Sequence, residues 1–130
     1  MKYQDFGGYP YARKLAVGCA KAAALFPHYE QFALAQQLRR AAYSVVLNIA
    51  EAFSRKGAPS LKHYLDVAFT SANEVEVILD LSEDLGYIDD CTLVELRDLQ
   101  RNAARLIISY KLSIAADPRH QRSRPPQRNA

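Results

Sequence analysis

The pattern of apolar and polar positions between residues 34 and 55 predicts one long helix, because this stretch has no Gly or Pro and is rich in Ala and Leu. Apolar residues recur there at helical spacing and share one face. A second row is polar, and its members also follow one another at three or four residues. The apolar row is Leu34, Leu38, Ala41, Val45 and Ala52, and the polar row is Gln36, Arg40, Ser44, Asn48, Glu51 and Arg55.

The polar row has apolar residues on both sides, since Ala42, Val46, Ile49 and Phe53 flank it. A lone amphipathic helix has one dry face and one wet face, so this row needs an explanation. It is a solvated face, a direct nucleic-acid-binding Arg cluster, or a semi-buried interface. In the last case the polar side chains pair with one another and with acidic residues of a neighbouring helix, for which Glu74 and Glu76 are the candidates.

The same periodicity predicts four helices, at about 11–26, 29–54, 61–85 and 92–116. Ser60 and Thr92 are the expected N-caps of the last two, and Gly57 and Gly86 suit the positions that follow helix ends. Short connections force antiparallel neighbours, so the predicted fold is all-α, an up-down-up-down antiparallel four-helix bundle over residues 11–116. Residues 1–10 read as an irregular lead-in. Residues 117–130, rich in Arg and Pro, read as a disordered tail.

The charge distribution separates the tail from the body. Net charge is +3 in total, but residues 1–116 contain 13 basic and 13 acidic residues. The basic excess lies in residues 117–130, so a general basic-domain argument for nucleic acid does not apply to the body. The tail is either a solvated end or a flexible phosphate-binding arm.

Other features narrow the class of protein. Two distant cysteines, Cys19 and Cys91, without a CxxC motif favour a reduced chain with two small buried thiols, although a disulfide stays open. No secretory signal or membrane span is visible, so we expect a soluble cytoplasmic protein. None of the three histidines completes a Glu-x-x-His pair, and no nucleophile constellation or phosphate loop stands out. We therefore expect no metal, no cofactor and no catalytic residue.

Two blocks of residues resemble a known family. The first runs from Phe26-Pro27 through Gln37-Leu38-Arg39-Arg40-Ala41-Ala42 to Asn48-Ile49-Ala50-Glu51, and the second includes Glu74 and Leu85-Gly86-Tyr87-Ile88. They are similar to the four-helix bundle proteins encoded in 23S ribosomal RNA intervening sequences, over about residues 10–115. This family usually has Gly where the chain has Ala52.

The resemblance implies a bundle that assembles into a homo-oligomeric ring of five subunits and carries no assigned catalytic activity. It extends to the accessory proteins of diversity-generating retroelements, which bind a reverse transcriptase and RNA. The first hypothesis is a non-enzymatic ring that binds RNA or a ribonucleoprotein, and the alternative is a protein-interaction scaffold; an RNA hydrolase ranks last. The candidate RNA-binding residues are Arg39, Arg40, Arg55, Arg119, Arg122, Arg124 and Arg128, and those for the subunit interface are Gln36, Arg40, Ser44, Asn48, Glu51 and Glu74.

Overall fold

The computed structural model describes residues 1–54 and 57–121, and within these ranges it contains helices and no strand. This confirms the all-α fold class. No helix in the same ranges is both long and apolar enough to cross a membrane. The helices are α1 (Tyr9–Ala24), α2 (Leu34–Ser54), α3 (Ala58–Asp84), α4 (Asp90–Ala116) and the single turn α5 (Pro118–Gln121), with 3-10 turns at Tyr3–Asp5 and His28–Glu30.

The four long helices pack as a bundle in which each contacts two neighbours: α1 with α2, α2 with α3, α3 with α4, and α4 with α1. Contacts between α3 and α4 show their antiparallel direction, because the early Asp66 pairs with the late Lys111 and the later Asp80 pairs with Arg97. Gly18 of α1 lies against Leu96 of α4, and the preceding Gly8 approaches Leu106. The helices α1 and α3 therefore occupy diagonal corners of the bundle.

The core follows the apolar periodicity of the helices. In α2 the predicted row is buried except for the half-buried Leu34. Each fully buried large aliphatic side chain stabilises the fold by about 1.5–3 kcal/mol relative to exposure. The largest side chains that are fully buried are Leu15, Leu38, Ile49, Leu65, Leu79, Leu96 and Ile107.

Two predicted N-caps are wrong. Helix α3 begins at Ala58, directly after Gly57, so Ser60 lies inside the first turn. Helix α4 is capped by Asp89, whose carboxylate accepts a hydrogen bond from the Thr92 backbone N–H at 2.8 Å. Thr92 is thus a donor to the cap, and its hydroxyl donates to the same carboxylate at 2.8 Å.

The second helix begins at Leu34 rather than near residue 29, because Pro27 is followed by the 3-10 turn at His28–Glu30. At the other end of the chain, residues 118–121 form the turn α5, although the composition predicted disorder from residue 117 onward. The remainder of the predicted tail lies outside the described residues.

The first residues contribute to the core. Phe6 is only 4% exposed and its ring lies 5.3 Å from that of Phe53 and 5.4 Å from that of Tyr110. The predicted irregular lead-in therefore holds an anchor that connects α2 and α4 at one end of the bundle.

Candidate functional site

The centre of the polar row is a contact between α2 and α3. The hydroxyls of Ser44 and Ser71 are 2.7 Å apart, and Ser71 is buried. The Asn48 amide donates to the Ser44 backbone oxygen at 2.8 Å and to its hydroxyl at 3.0 Å. The half-buried Asn48 thus finds the hydrogen-bond partners that its apolar surroundings require.

The ends of the polar row differ from its centre. Gln36 and Arg40 are exposed, as is Glu74 on α3, whereas Glu51 is half-buried. Among the described residues, no ion pair joins Arg40 to Glu74. The structure therefore brings Ser44 against α3, with Asn48 bonded to Ser44. It leaves Gln36, Arg40 and Glu74 on the surface of the single chain.

Arg39 is engaged within the fold. Its guanidinium donates to the Gln31 backbone oxygen at 3.0 Å and to the Gln31 side-chain oxygen at 3.4 Å. The Gln31 amide donates in turn to the backbone oxygens of Ala23 and Phe26, at 2.9 and 3.0 Å. These bonds tie the α1–α2 connection to carbonyls at and just after the end of α1, where intrahelical partners become fewer. Arg39 stabilises the connection from α1 to α2 and is not a free phosphate-binding group in this structure.

The candidates near the C-terminus are only partly described. Arg119 forms an ion pair with Asp117, with Nη2 at 2.7 Å from Oδ2. Hydrogen bonds to this carboxylate raise the pKa of the Arg119 guanidinium. Arg55, Arg122, Arg124 and Arg128 lie outside the described residues.

An open groove of about 990 Å³ lies between α1 and the first half of α4. On the α1 side it is lined by cations and aliphatic side chains, and on the α4 side by Glu95 together with Leu96 and Leu99. Gly18 forms part of its floor, since a Cβ there would lie 2.7 Å from Leu96 Cδ2. The α1 lining includes Arg13, Lys14, Val17, Lys21 and Leu25.

The sequence did not indicate any of these groove residues as a candidate site residue. The signal was present, because no Asp or Glu occurs between Asp5 and Glu30. Averaging charge over the whole body concealed this acid-free segment. Chemically, the groove can bind apolar surface and pair its ammonium groups with carboxylates or phosphates. No group of three or more His, Cys, Asp or Glu that could hold a metal ion occurs within the described ranges.

Comparison with known proteins identifies the family. The family model described as 23S rRNA-intervening sequence protein matches residues 4–109. The chain belongs to this family. Among curated proteins, none matches the sequence.

A solved structure shares the fold of this 23S rRNA-intervening sequence family member. It is a protein of unknown function from the S23 ribosomal protein family of Bacteroides thetaiotaomicron, with 22% sequence identity and a TM-score of 0.76. The match covers 86% of this chain and 99% of that one. At this identity the likeness establishes the fold alone.

The matched segment of this 23S rRNA-intervening sequence protein contains a second polar network. The Tyr87 hydroxyl donates to Glu30 Oε2 at 2.9 Å and lies 3.1 Å from the Tyr29 hydroxyl. The hydrogen bond with Tyr29 is the largest cause of a raised pKa of the Tyr87 hydroxyl, and the bond to Glu30 raises this pKa further. The Tyr87 ring also lies 5.1 Å from that of Phe26. The network joins the α1–α2 connection to the α3–α4 connection, and the sequence pattern had not indicated that these residues meet.

Proposed function

We propose that this protein is a non-enzymatic, oligomeric four-helix bundle that binds RNA or an RNA–protein complex. The observation that carries the proposal is the concentration of positive charge in residues 117–130, which hold four Arg and one Asp beside a body of balanced charge. Arg side chains bind phosphate through paired N–H donors, and each contact releases counterions from the nucleic acid. Membership of a family named for 23S rRNA intervening sequences supports an RNA partner.

The proposed oligomer is a ring of five subunits, as the resemblance stated above implies. Five C-terminal segments on one ring would bind one RNA together, so weak single contacts would give useful avidity. We assign the RNA contacts to Arg119, Arg122, Arg124 and Arg128, with Arg55 as a further candidate. Arg40 and the other exposed members of the polar row are assigned to subunit contacts.

The absence of catalysis is part of the proposal. The hydroxyls of Ser44 and Ser71 bond to each other, and that of Ser44 also accepts from the Asn48 amide. Within the described residues no His forms a hydrogen bond with either hydroxyl. His63 stands edge-on to the neighbouring Tyr64 ring, 4.9 Å between centroids. Neither arrangement pairs a nucleophile with a general base in the geometry that activation requires.

The test is fluorescence anisotropy with a structured fragment of 23S rRNA at roughly 50 and 200 mM salt, a range over which phosphate contacts weaken strongly. Replacing Arg122, Arg124 and Arg128 by Gln in the full chain should weaken binding and reduce the salt slope by roughly 2 to 3, since each lost contact removes about one counterion. The matched control replaces Lys2, Lys62 and Arg101 by Gln, which changes net charge equally. The two variants would behave alike if the tail had no special role.

A second candidate function is a protein-interaction scaffold without a nucleic-acid role. It is favoured by the large apolar side chains exposed around the α1–α2 connection, where Leu25 is 82% and Phe32 is 87% exposed and Tyr29 is also open to solvent. Such residues typically mark interaction surfaces when they cluster. If neither the parent chain nor the control variant binds RNA at low salt, this second function is favoured over the first.

A further inference from the structure

Charge is distributed unequally between diagonal helices of the bundle. Helix α1 carries Arg13, Lys14 and Lys21 and no acidic residue. Helix α3 carries six acidic residues and one cation, Lys62. Helices α1 and α3 are not neighbours in the bundle. Three of the six acidic residues of α3 pair with cations of α4, and the other three form no ion pair with another described residue. Opposite corners of the molecule therefore carry opposite charge.

On α1, a row of alternating cationic and apolar residues lines the groove beside α4. Lys14, Val17, Lys21 and Leu25 follow one another at spacings of three and four, so they share one face. All four are exposed, Val17 by 50%. None of these side chains packs into the core, although two of the four are apolar.

A row of the opposite charge runs along α3. Glu74, Val77, Leu81 and Asp84 follow at spacings of three and four, and all are exposed, Val77 by 56%. Glu74 and Asp84 form no ion pair with another described residue. Other acids of α3 behave differently, since Asp80 pairs with Arg97 of α4. Glu74 lies three residues after Ser71, which contacts α2, so the row starts on the outer surface that α3 shares with α2.

Helix α2 extends this surface. The contact of Ser44 with Ser71 sets α2 and α3 side by side, and on the outside of α2 the side chains of Tyr43 and Leu47 are exposed. Arg40 is exposed on the same helix, four residues before Ser44. The outer surface of α2 and α3 lies on the opposite side of the bundle from the groove between α1 and α4.

We propose that the α1–α4 groove of one copy binds the α2–α3 outer surface of a second copy. The inference rests on the proposed function, because it names the contact that builds the proposed oligomer. Lys14 and Lys21 face Glu74 and Asp84, while the aliphatic side chains of the two rows cover one another. Arg40 and Glu95 give a second pair of opposite sign. Complementary charge sets the partner and the orientation, and the apolar residues remove surface from water.

The two surfaces lie on opposite sides of the molecule, so the contact is heterologous. Each copy that uses its groove still has a free outer surface, and a third copy binds there. Heterologous contacts of this kind close into rings when the rotation between copies permits. A two-fold contact that placed α1 against α1, or α3 against α3, would instead bring like charges together.

The test is charge reversal in the full chain, with mass measured by light scattering on a sizing column at low salt. One variant carries Lys14→Glu and Lys21→Glu, and the other carries Glu74→Lys and Asp84→Lys. Each alone should fall to the monomer mass of 14.6 kDa. Mixed one to one, they should re-form open or even-numbered oligomers in which the two variants alternate, because the acidic α1 of one then meets the basic α3 of the other. A closed ring of five cannot alternate, so the mixed oligomer should differ in mass from the parent.

The controls separate this contact from a general charge effect. Lys62→Glu with Arg101→Glu matches the first variant in charge, and Glu76→Lys with Asp98→Lys matches the second; both controls should keep the parental mass. Rescue in the mixture would itself show that both reversed chains fold.

The outcomes separate the two proposals. A monomeric parent chain would overturn the oligomer of the proposed function together with this contact. An oligomeric parent whose two reversed variants keep its mass would overturn the contact alone. Monomeric reversed variants that stay monomeric when mixed would also reject the pairing of these two surfaces.

Discussion

At the scale of single residues, Gly86 shows how one backbone position ends a helix. Its φ is 72°, and its N–H bonds to the Glu83 carbonyl at 3.0 Å while the N–H of Tyr87 bonds to the Ser82 carbonyl at 2.9 Å. This is a Schellman motif, in which Gly avoids the strain of a Cβ. Gly86→Ala should lower the free energy of unfolding by about 1 kcal/mol in urea titrations. Gly7→Ala is the control, because a Cβ there meets nothing within 4 Å; equal losses would reject the account.

The two thiols also differ at this scale. The sequence predicts two small buried thiols, which is correct for Cys19 and wrong for Cys91, exposed in the first turn of α4. Burial raises the pKa of the Cys19 thiol to about 12, which suppresses its thiolate. Iodoacetamide at about pH 8 should label the folded chain once, at Cys91, and twice in urea. The folded Cys91→Ser variant should take no label, and rapid labelling of it would contradict the burial of Cys19.

At the scale of elements, helical periodicity predicted all four long helices because each must bury an apolar stripe. Periodicity did not predict where these helices begin and end. A helix end is set by a cap a few residues away or by a partner far away in sequence. The α1–α2 connection is held by Arg39 through Gln31, a partner that periodicity does not reveal. At α4, both Asp89 and Thr92 have the chemistry of an N-cap, and only the structure shows that Asp89 takes that position.

The Asp89 cap has a pH dependence of defined sign. Hydrogen bonds from the Thr92 backbone and hydroxyl hold the pKa of Asp89 below its usual 3.8. Its stabilising contribution is therefore present above the unfolded-state pKa and is lost as pH falls through the folded value. Asp89→Asn keeps an acceptor but loses the charge, so its Tm should lie a few degrees below the parent at neutral pH, with the gap closing below about pH 4.

Circular dichroism melts from pH 3 to pH 8, a range that spans the carboxylate titration, would measure the gap. Asp98→Asn, in an exposed mid-helix position, is the control. A gap for Asp89→Asn that is constant with pH would show that the charge of Asp89 does not contribute.

At the scale of the whole molecule, the sequence indicated part of the candidate site. It indicated that the polar row needs partners and offered Glu74 and Glu76 as candidates. The partner of Ser44 is instead Ser71, which depends on the register between α2 and α3. The groove beside α1 was missed because charge was summed over the body rather than helix by helix. A surface formed by two helices distant in sequence becomes visible only after the order of packing is known.

The segment before α1 also closes one end of the bundle, which is a feature of the whole molecule. Phe6, outside the predicted bundle, lies against Phe53 of α2 and Tyr110 of α4, and a Cβ on Gly8 would meet its ring at 2.5 Å. The family match begins at residue 4, so it includes this anchor. Phe6→Ala should cost about 3–5 kcal/mol, a large share of the roughly 5–15 kcal/mol that stabilises a domain.

Urea unfolding of the full chain would measure this loss, with Gln4→Ala, an exposed residue of the same segment, as the control. A loss in the free energy of unfolding below about 0.5 kcal/mol is usual for a surface position. Such a result would mean that residues 1–10 are an irregular lead-in, as the sequence predicted. A loss of the expected size would mean that the first residues reinforce the end of the bundle where Phe53 of α2 contacts Tyr110 of α4. The end of the bundle would then depend on a segment that helical periodicity places outside it.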